Sequence, residues 1–249
     1  MIFDQDNVQQ HTTVTGYQFS AVKVDDNLSA MEYMLGEIWV DTSPSTSSFV
    51  KQLEYCLHDI ATMCQKLPTA QNIMIRTSQF NRNLSEIHPQ MLVKNIDPAR
   101  YDGTLHCTGL TALYDATLAG LESSEKFAQE LAKQEIDATI VLFILTDGWE
   151  NCSSKCTDPD MIKTAIQRIR KTETISQLTT CLVGVNAADA KDDLLKFKDQ
   201  AGFDVYSDIK DATPSSLAKL TNLISQSFSS ASQNLGSQNN SSTVNAMTI

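Results

Sequence analysis

Asp41, Ser43 and Ser45 stand at alternate positions in Asp41-Thr42-Ser43-Pro44-Ser45, directly after the apolar run Ile38-Trp39-Val40. One carboxylate and two hydroxyls at the end of a strand offer oxygen ligands to a hard divalent cation, Mg²⁺ or Mn²⁺ rather than zinc or copper. Two further segments carry matching chemistry. Thr111 lies in Thr108-Gly109-Leu110-Thr111-Ala112-Leu113-Tyr114-Asp115, and Asp147 follows an apolar strand in Thr146-Asp147-Gly148. Each segment alone has an ordinary alternative. Asp41 with its serines can cap the helix that follows. Asp147 before a glycine can be a turn residue. Thr111 can cap the next helix, a role that ligation does not exclude. Together the three segments predict one cation site built from Asp41, Ser43, Ser45, Thr111 and Asp147.

Catalytic signatures are missing around these residues. The chain has no G-x-x-x-x-G-K-[ST], no G-x-G-x-x-G and no G-x-S-x-G, and its 9 glycines leave little material for a phosphate loop. No histidine falls within Asp41 to Ser45 or Thr146 to Asn151; His106 is the one histidine on a loop that can face the site. Among the 6 cysteines, Cys56, Cys64 and Cys181 sit between apolar neighbours as small core residues, and Cys107, Cys152 and Cys156 fall in loops. Cys152 and Cys156 have a spacing open to a redox pair or half a zinc site, which His106 and Cys107 could complete, but no second pair with recognised spacing accompanies them. Free thiols are the favoured reading.

The elements that must position these residues read as alternating strands and helices. Strands are expected over 14–24, 34–40, 72–80, 138–145, 178–185 and 204–209, with an irregular strand pair over 84–96. Helices are expected over 47–67, 112–122, 124–134, 159–171, 189–201 and 214–228, the fourth capped by Asp158 with Pro159 at its first position. Such alternation predicts right-handed crossovers and a mainly parallel sheet covered on both faces. In that architecture ligands bind at the carboxyl ends of the strands near the switch point. Asp41 and Asp147 each close a strand, so both belong on that edge.

Size and charge bound the rest. At 249 residues, with 41% apolar residues, the chain supports one domain of ordinary size with extensions. A net charge of −11 argues against nucleic acid or an anionic membrane as partner. No signal peptide is visible at Met1-Ile2-Phe3-Asp4, and no apolar run is long enough to span a bilayer, so a cytoplasmic protein is expected. Residues 1–13 read as polar and loosely held, and the uncharged, Ser/Asn/Gln-rich segment 229–249 as disordered.

The three oxygen-bearing segments, in this order and setting, resemble the von Willebrand factor A (vWA) domain and its metal-ion-dependent adhesion site (MIDAS): D-x-S-x-S, a Thr after a Gly-containing turn, then an Asp in T/S-D-G. Thr108 competes for the Thr position, but Thr111 fits the Thr-Ala-Leu-Tyr-Asp context better. Residues 108–115 and 146–151 look similar to bacterial and phage members. Pro44 and Leu110 stand where many members carry glycine, and neither change removes a ligand. The resemblance implies a three-layer, doubly wound, Rossmann-like α/β fold with a mainly parallel six-stranded sheet, a vWA domain over 34–228, an N-terminal extension over 1–33 and a tail over 229–249. It implies that Ser43 and Ser45 bind the cation directly, Thr111 directly or through water, and Asp41 and Asp147 mostly through water. It further implies a non-enzymatic interaction module, with the open position filled by an Asp or Glu of a protein partner. Kinases, phosphatases and AAA+ ATPases are partners of bacterial relatives. Two alternatives stand beside it: a structural subunit of a larger complex or phage particle, and a Mg²⁺-dependent phosphoryl-transfer or hydrolytic enzyme.

Overall fold

The computed structural model describes residues 7–24 and 30–235. Eight strands and five α-helices follow one another: β1 (Val8–Thr12), β2 (Gln18–Val22), β3 (Glu32–Asp41), α1 (Val50–Gln65), β4 (Ile73–Phe80), β5 (Leu84–Leu92), α2 (Leu113–Ala132), β6 (Asp137–Thr146), α3 (Pro159–Ile169), β7 (Ile175–Val185), α4 (Lys191–Ala201), β8 (Val205–Ile209) and α5 (Pro214–Gln233). The strands form one sheet in the order β1-β2-β5-β4-β3-β6-β7-β8.

The expectation of a six-stranded, mainly parallel, Rossmann-like sheet is corrected by this topology. The sheet has eight strands and is mixed: β1 with β2 and β4 with β5 are antiparallel, whereas β4, β3, β6, β7 and β8 run parallel. The two additional strands arise at the N-terminus. The strand expected over 14–24 is the shorter β2, which lies parallel to β5 at Ala21↔Gln90, and β1, in the segment 1–13 expected to be loosely held, pairs with it as a hairpin. β1 (VQQHT) escapes recognition because it is a polar edge strand whose one buried side chain is His11, stacked on Phe19 at 5.1 Å. The irregular pair expected over 84–96 is one strand, β5, broken in register near Thr77 and followed by a turn of 3₁₀-helix at Val93–Asn95.

The central strands are buried on both faces, which is why β6 (DATIVLFILT) lacks a period of two. Leu35, Trp39, Leu142 and Ile144 point to the layer of α2, α3 and α4. Met34, Ile38, Val141 and Phe143 point to the layer of α1 and α5. Gly120 allows α2 to approach closely: a Cβ there would stand 2.8 Å from Trp39 Nε1 and 3.0 Å from Leu142 Cδ1. The helices expected over 112–122 and 124–134 are one helix, α2. Helix α5 continues to Gln233, beyond the expected 228, and the rest of the expected tail, from 236 onward, lies outside the described residues. So do residues 1–6. No helix among the described residues is long and apolar enough to cross a membrane.

Candidate functional site

β3 and β6 are adjacent and parallel, with Val40 opposite Leu145, so their carboxyl ends deliver Asp41 and Thr146-Asp147 to the same edge. This is where the chain order reverses: from β3 the sheet grows through β4 on one side and β6 on the other, the topology that opens a crevice in such sheets. After Asp41 the chain leaves β3 into the 3₁₀ turn Pro44–Ser48, with Pro44 suited to its first position. The alternative reading, a helix cap, is not realised by Ser43, whose side chain makes no cap hydrogen bond.

Four of the five expected residues converge here. Ser43 Oγ lies 3.0 Å from Ser45 Oγ, and Ser45 Oγ donates to Asp147 Oδ1 at 2.8 Å. Behind this chain of oxygens, Asp41 is 1% exposed. One of its oxygens accepts from Ser43 N at 2.7 Å and the other from Thr146 Oγ1 at 2.6 Å. Burial pushes its carboxyl up to about 6, against the pull of Thr146 and Ser43 and with a further push from Asp147. Asp147 is raised too, by burial, with Ser45 opposing. Neither carboxylate forms an ion pair among the described residues.

Thr111 joins the cluster through the backbone. Its amide donates to Asn151 Oδ1 at 2.8 Å, and Asn151 N donates back to Thr111 O at 3.0 Å. Its hydroxyl is not hydrogen-bonded to the serines or to Asp147 among the described residues, so Thr111 is tied to the loop after Asp147 and not to the oxygen chain. His106, the loop histidine, enters through its backbone: its carbonyl accepts from Asn81 Nδ2 at 3.5 Å and its amide donates to Gln79 Oε1 at 3.0 Å.

Several residues that shape the site lacked an assigned role in the sequence. Thr146 anchors Asp41, and Asn151 anchors Thr111. Glu150 accepts from Tyr114 N at 2.9 Å, Cys152 N at 2.7 Å, and Ser153 N and Oγ at 2.6 Å each. Asp115 accepts from the amides of Ser154, Lys155 and Cys156 at 2.9, 2.9 and 2.6 Å. The loop after Asp147 is thereby stitched to the start of α2. All six cysteines are free, and Cys156 is buried. Leu110 and Trp149, 38% and 49% exposed, stand beside Thr111 and Asp147.

No family model matches the chain, and no curated protein matches it. Solved structures do. The PilB minor pilin from Streptococcus sanguinis aligns over 87% of this chain and 66% of its own, at 13% identity and TM-score 0.56. The pilus adhesin SpaC from Lactobacillus rhamnosus GG, in an open conformation, aligns over 91% and 34%, at 12% identity and TM-score 0.56. Proximal thread matrix protein 1 from the mussel byssus, in a structure with a zinc-occupied MIDAS motif, aligns over 81% and 46%, at 16% identity and TM-score 0.50. The chain thus spans about two thirds of the pilin and half or less of the others, and at these identities the likeness is one of fold.

These findings correct the family assignment drawn from the three motifs. No family model supports membership of the vWA family with its adhesion site, and the structures sharing the fold include pilin and pilus-adhesin proteins. The adhesion-site label that came with that membership falls with it. Among the described residues no group of three or more His, Cys, Asp or Glu side chains is placed to hold a metal. The cluster at the sheet edge has two carboxylates, and its other oxygens are hydroxyls.

Proposed function

We propose that this chain is a non-enzymatic protein-interaction domain whose contact point is the loop cluster of Asp41, Ser43, Ser45, Thr111 and Asp147. The observation that carries the reading is the oxygen chain Ser43–Ser45–Asp147, at 3.0 and 2.8 Å, set over a buried Asp41 that has no cationic partner among the described residues. Two acids so close, one of them buried, are costly unless positive charge is supplied.

The residues fit a hard cation. Two neighbouring ligands about 2.1 Å from Mg²⁺ lie roughly 3 Å apart, the spacing of the serine hydroxyls. Ser43, Ser45 and Asp147 would hold Mg²⁺ or Mn²⁺, with Asp41 balancing charge behind them and Thr111 adjoining. When bound, the cation supplies electrophilic attraction for a carboxylate of a partner protein. Leu110 and Trp149, exposed on either side, offer apolar area around such a contact. The proteins sharing the fold include a minor pilin, a pilus adhesin and a thread matrix protein, names of assembly and attachment rather than catalysis.

Thermal unfolding with Mg²⁺ or Mn²⁺ against EDTA tests the reading. At a hundredfold excess over its Kd, a cation that binds only the folded state adds about 2.7 kcal/mol and raises Tm by roughly 5–10 °C. Ser43→Ala combined with Asp147→Ala should abolish the rise. An intact protein whose Tm is the same in both solutions would sink the cation assignment.

A further inference from the structure

A groove of about 250 Å³ opens beside the oxygen cluster, between the start of α2, the loop after Asp147 and the first turns of α4. Tyr114, Trp149, Glu150, Asp193, Lys196 and Phe197 are among the residues that line it. Tyr114 and Phe197 form a near-stacked wall, with ring centroids 4.8 Å apart and an interplanar angle of 30°. Phe197 is buried as the floor, and Tyr114 and the half-exposed Trp149 stand above it.

Two carboxylates share this aromatic pocket. Glu150 is locked by four donors, so it acts as a fixed negative charge rather than a free acceptor. Asp193, in the first turn of α4, forms an ion pair with Lys196 at 3.1 Å. Both members of that pair are well exposed, so solvent screens it and an incoming cation can replace Lys196. Burial raises the Tyr114 phenol pKa, and Glu150 and Asp193 raise it further, as expected where the local potential is negative.

The Tyr114 and Trp149 rings, backed by the buried Phe197, form with two carboxylates a receptor for an organic cation. A planar guanidinium stacks on aromatic faces and pairs with a carboxylate in bidentate fashion, which an ammonium cannot do. We propose that this groove receives an arginine side chain of the partner protein. The assignment of a protein partner rests on the reading given above, but the groove is a separate subsite. The partner would then present an acidic residue to the oxygen cluster and a basic one to the groove. An arginine-bearing partner also complements the chain's net charge of −11.

The test titrates the intact protein with N-acetyl-arginine amide and, as the neutral isostere, N-acetyl-citrulline amide, both in EDTA. Trp39 is fully buried, so quencher-accessible tryptophan fluorescence reports Trp149, the other of the two tryptophans. The arginine amide should give a saturable change at millimolar concentration, at least fivefold tighter than the citrulline amide. Asp193→Asn should weaken it threefold or more, and Lys196→Ala, which removes the resident cation, should strengthen it. Equal binding of both amides, no saturation, or an Asp193→Asn variant that binds like the parent would overturn the proposal. Because these arms run without divalent cation, their failure is distinguishable from an absent Mg²⁺ effect on Tm, which concerns the oxygen cluster alone.

Discussion

The hydroxyl of Thr146 reaches across the end of the sheet to Asp41 Oδ2 at 2.6 Å, while the Ser43 amide holds the other carboxylate oxygen at 2.7 Å. Those two neutral donors are what keeps a buried, unpaired acid in place. Removing one leaves a buried carboxylate oxygen unsatisfied, which costs about 1–3 kcal/mol or more. Thr146→Val keeps the side-chain shape and removes the donor. It should lower stability by that amount in urea unfolding, and Thr146→Ser should recover most of the loss. A Thr146→Val protein with the parent's midpoint would show that this bond does not hold Asp41. Asp41, Ser43, Ser45 and Asp147 were marked by their joint occurrence at strand ends, since each segment alone could equally be a cap or a turn. Thr146 and Asn151 were not marked. They act on residues 105 and 40 positions away, and no local spacing encodes such a contact.

Helix α2 and the loop after β6 form the element that gives the site its shape. Glu150 caps Tyr114 N in the first turn of α2, a donor with no partner inside the helix, and also gathers the amides of Cys152 and Ser153. Glu150→Ala should destabilise the protein by about 0.5–2 kcal/mol, the scale of a lost cap. Its signature should be local: amide exchange at Tyr114, Cys152 and Ser153 speeds up while β6 keeps its protection. Equal loss across β6 would mean that Glu150 supports the core as a whole. The layout of strands β3, β4, β6, β7 and β8 was legible from apolar runs and their breaks. Helix α2 was not legible as one element, because Ser123-Ser124 reads as an interruption. In the structure both hydroxyls bond back into the helix, Ser123 to Ala119 O at 2.6 Å and Ser124 to Gly120 O at 2.9 Å. They face a buried ion pair on the sheet, and that tertiary environment keeps the helix intact.

That ion pair ties the centre of the sheet to α2 and to the N-terminal hairpin. Arg76 of β4 and Glu37 of β3 are both fully buried, with Arg76 Nε 2.8 Å and Nη2 2.6 Å from Glu37 Oε1, which also accepts from Trp39 Nε1 at 2.8 Å. Burial pushes the Glu37 carboxyl up to about 7 while Arg76 pulls it down. For Arg76 burial opposes the charge, yet Glu37 and then Tyr17 hold its pKa above the ordinary value. With three donor atoms gathered on one oxygen, we take the pair as ionised. The guanidinium lies over the rings of Phe19, at 4.7 Å, and of Tyr17 and Trp39, each at 5.8 Å. Its Nη1 is 3.8 Å from Glu86, which accepts from Ser20 N at 2.9 Å. The N-terminal hairpin has one paired register position with β5, so it relies on these contacts and on Glu122, which accepts from Thr15 N at 3.1 Å and Thr15 Oγ1 at 2.7 Å. Arg76→Met leaves Glu37 buried without its partner and should cost about 3–5 kcal/mol. Glu37→Leu combined with Arg76→Met removes both charges and should recover much of that loss. Because the guanidinium also holds Phe19, the β1–β2 amides should lose exchange protection in both variants, even where global stability returns. A double variant as unstable as the single one would rule out the uncompensated charge as the cause. Hairpin amides that stay protected in both would mean that Glu122 and the backbone ladder alone hold this edge of the sheet.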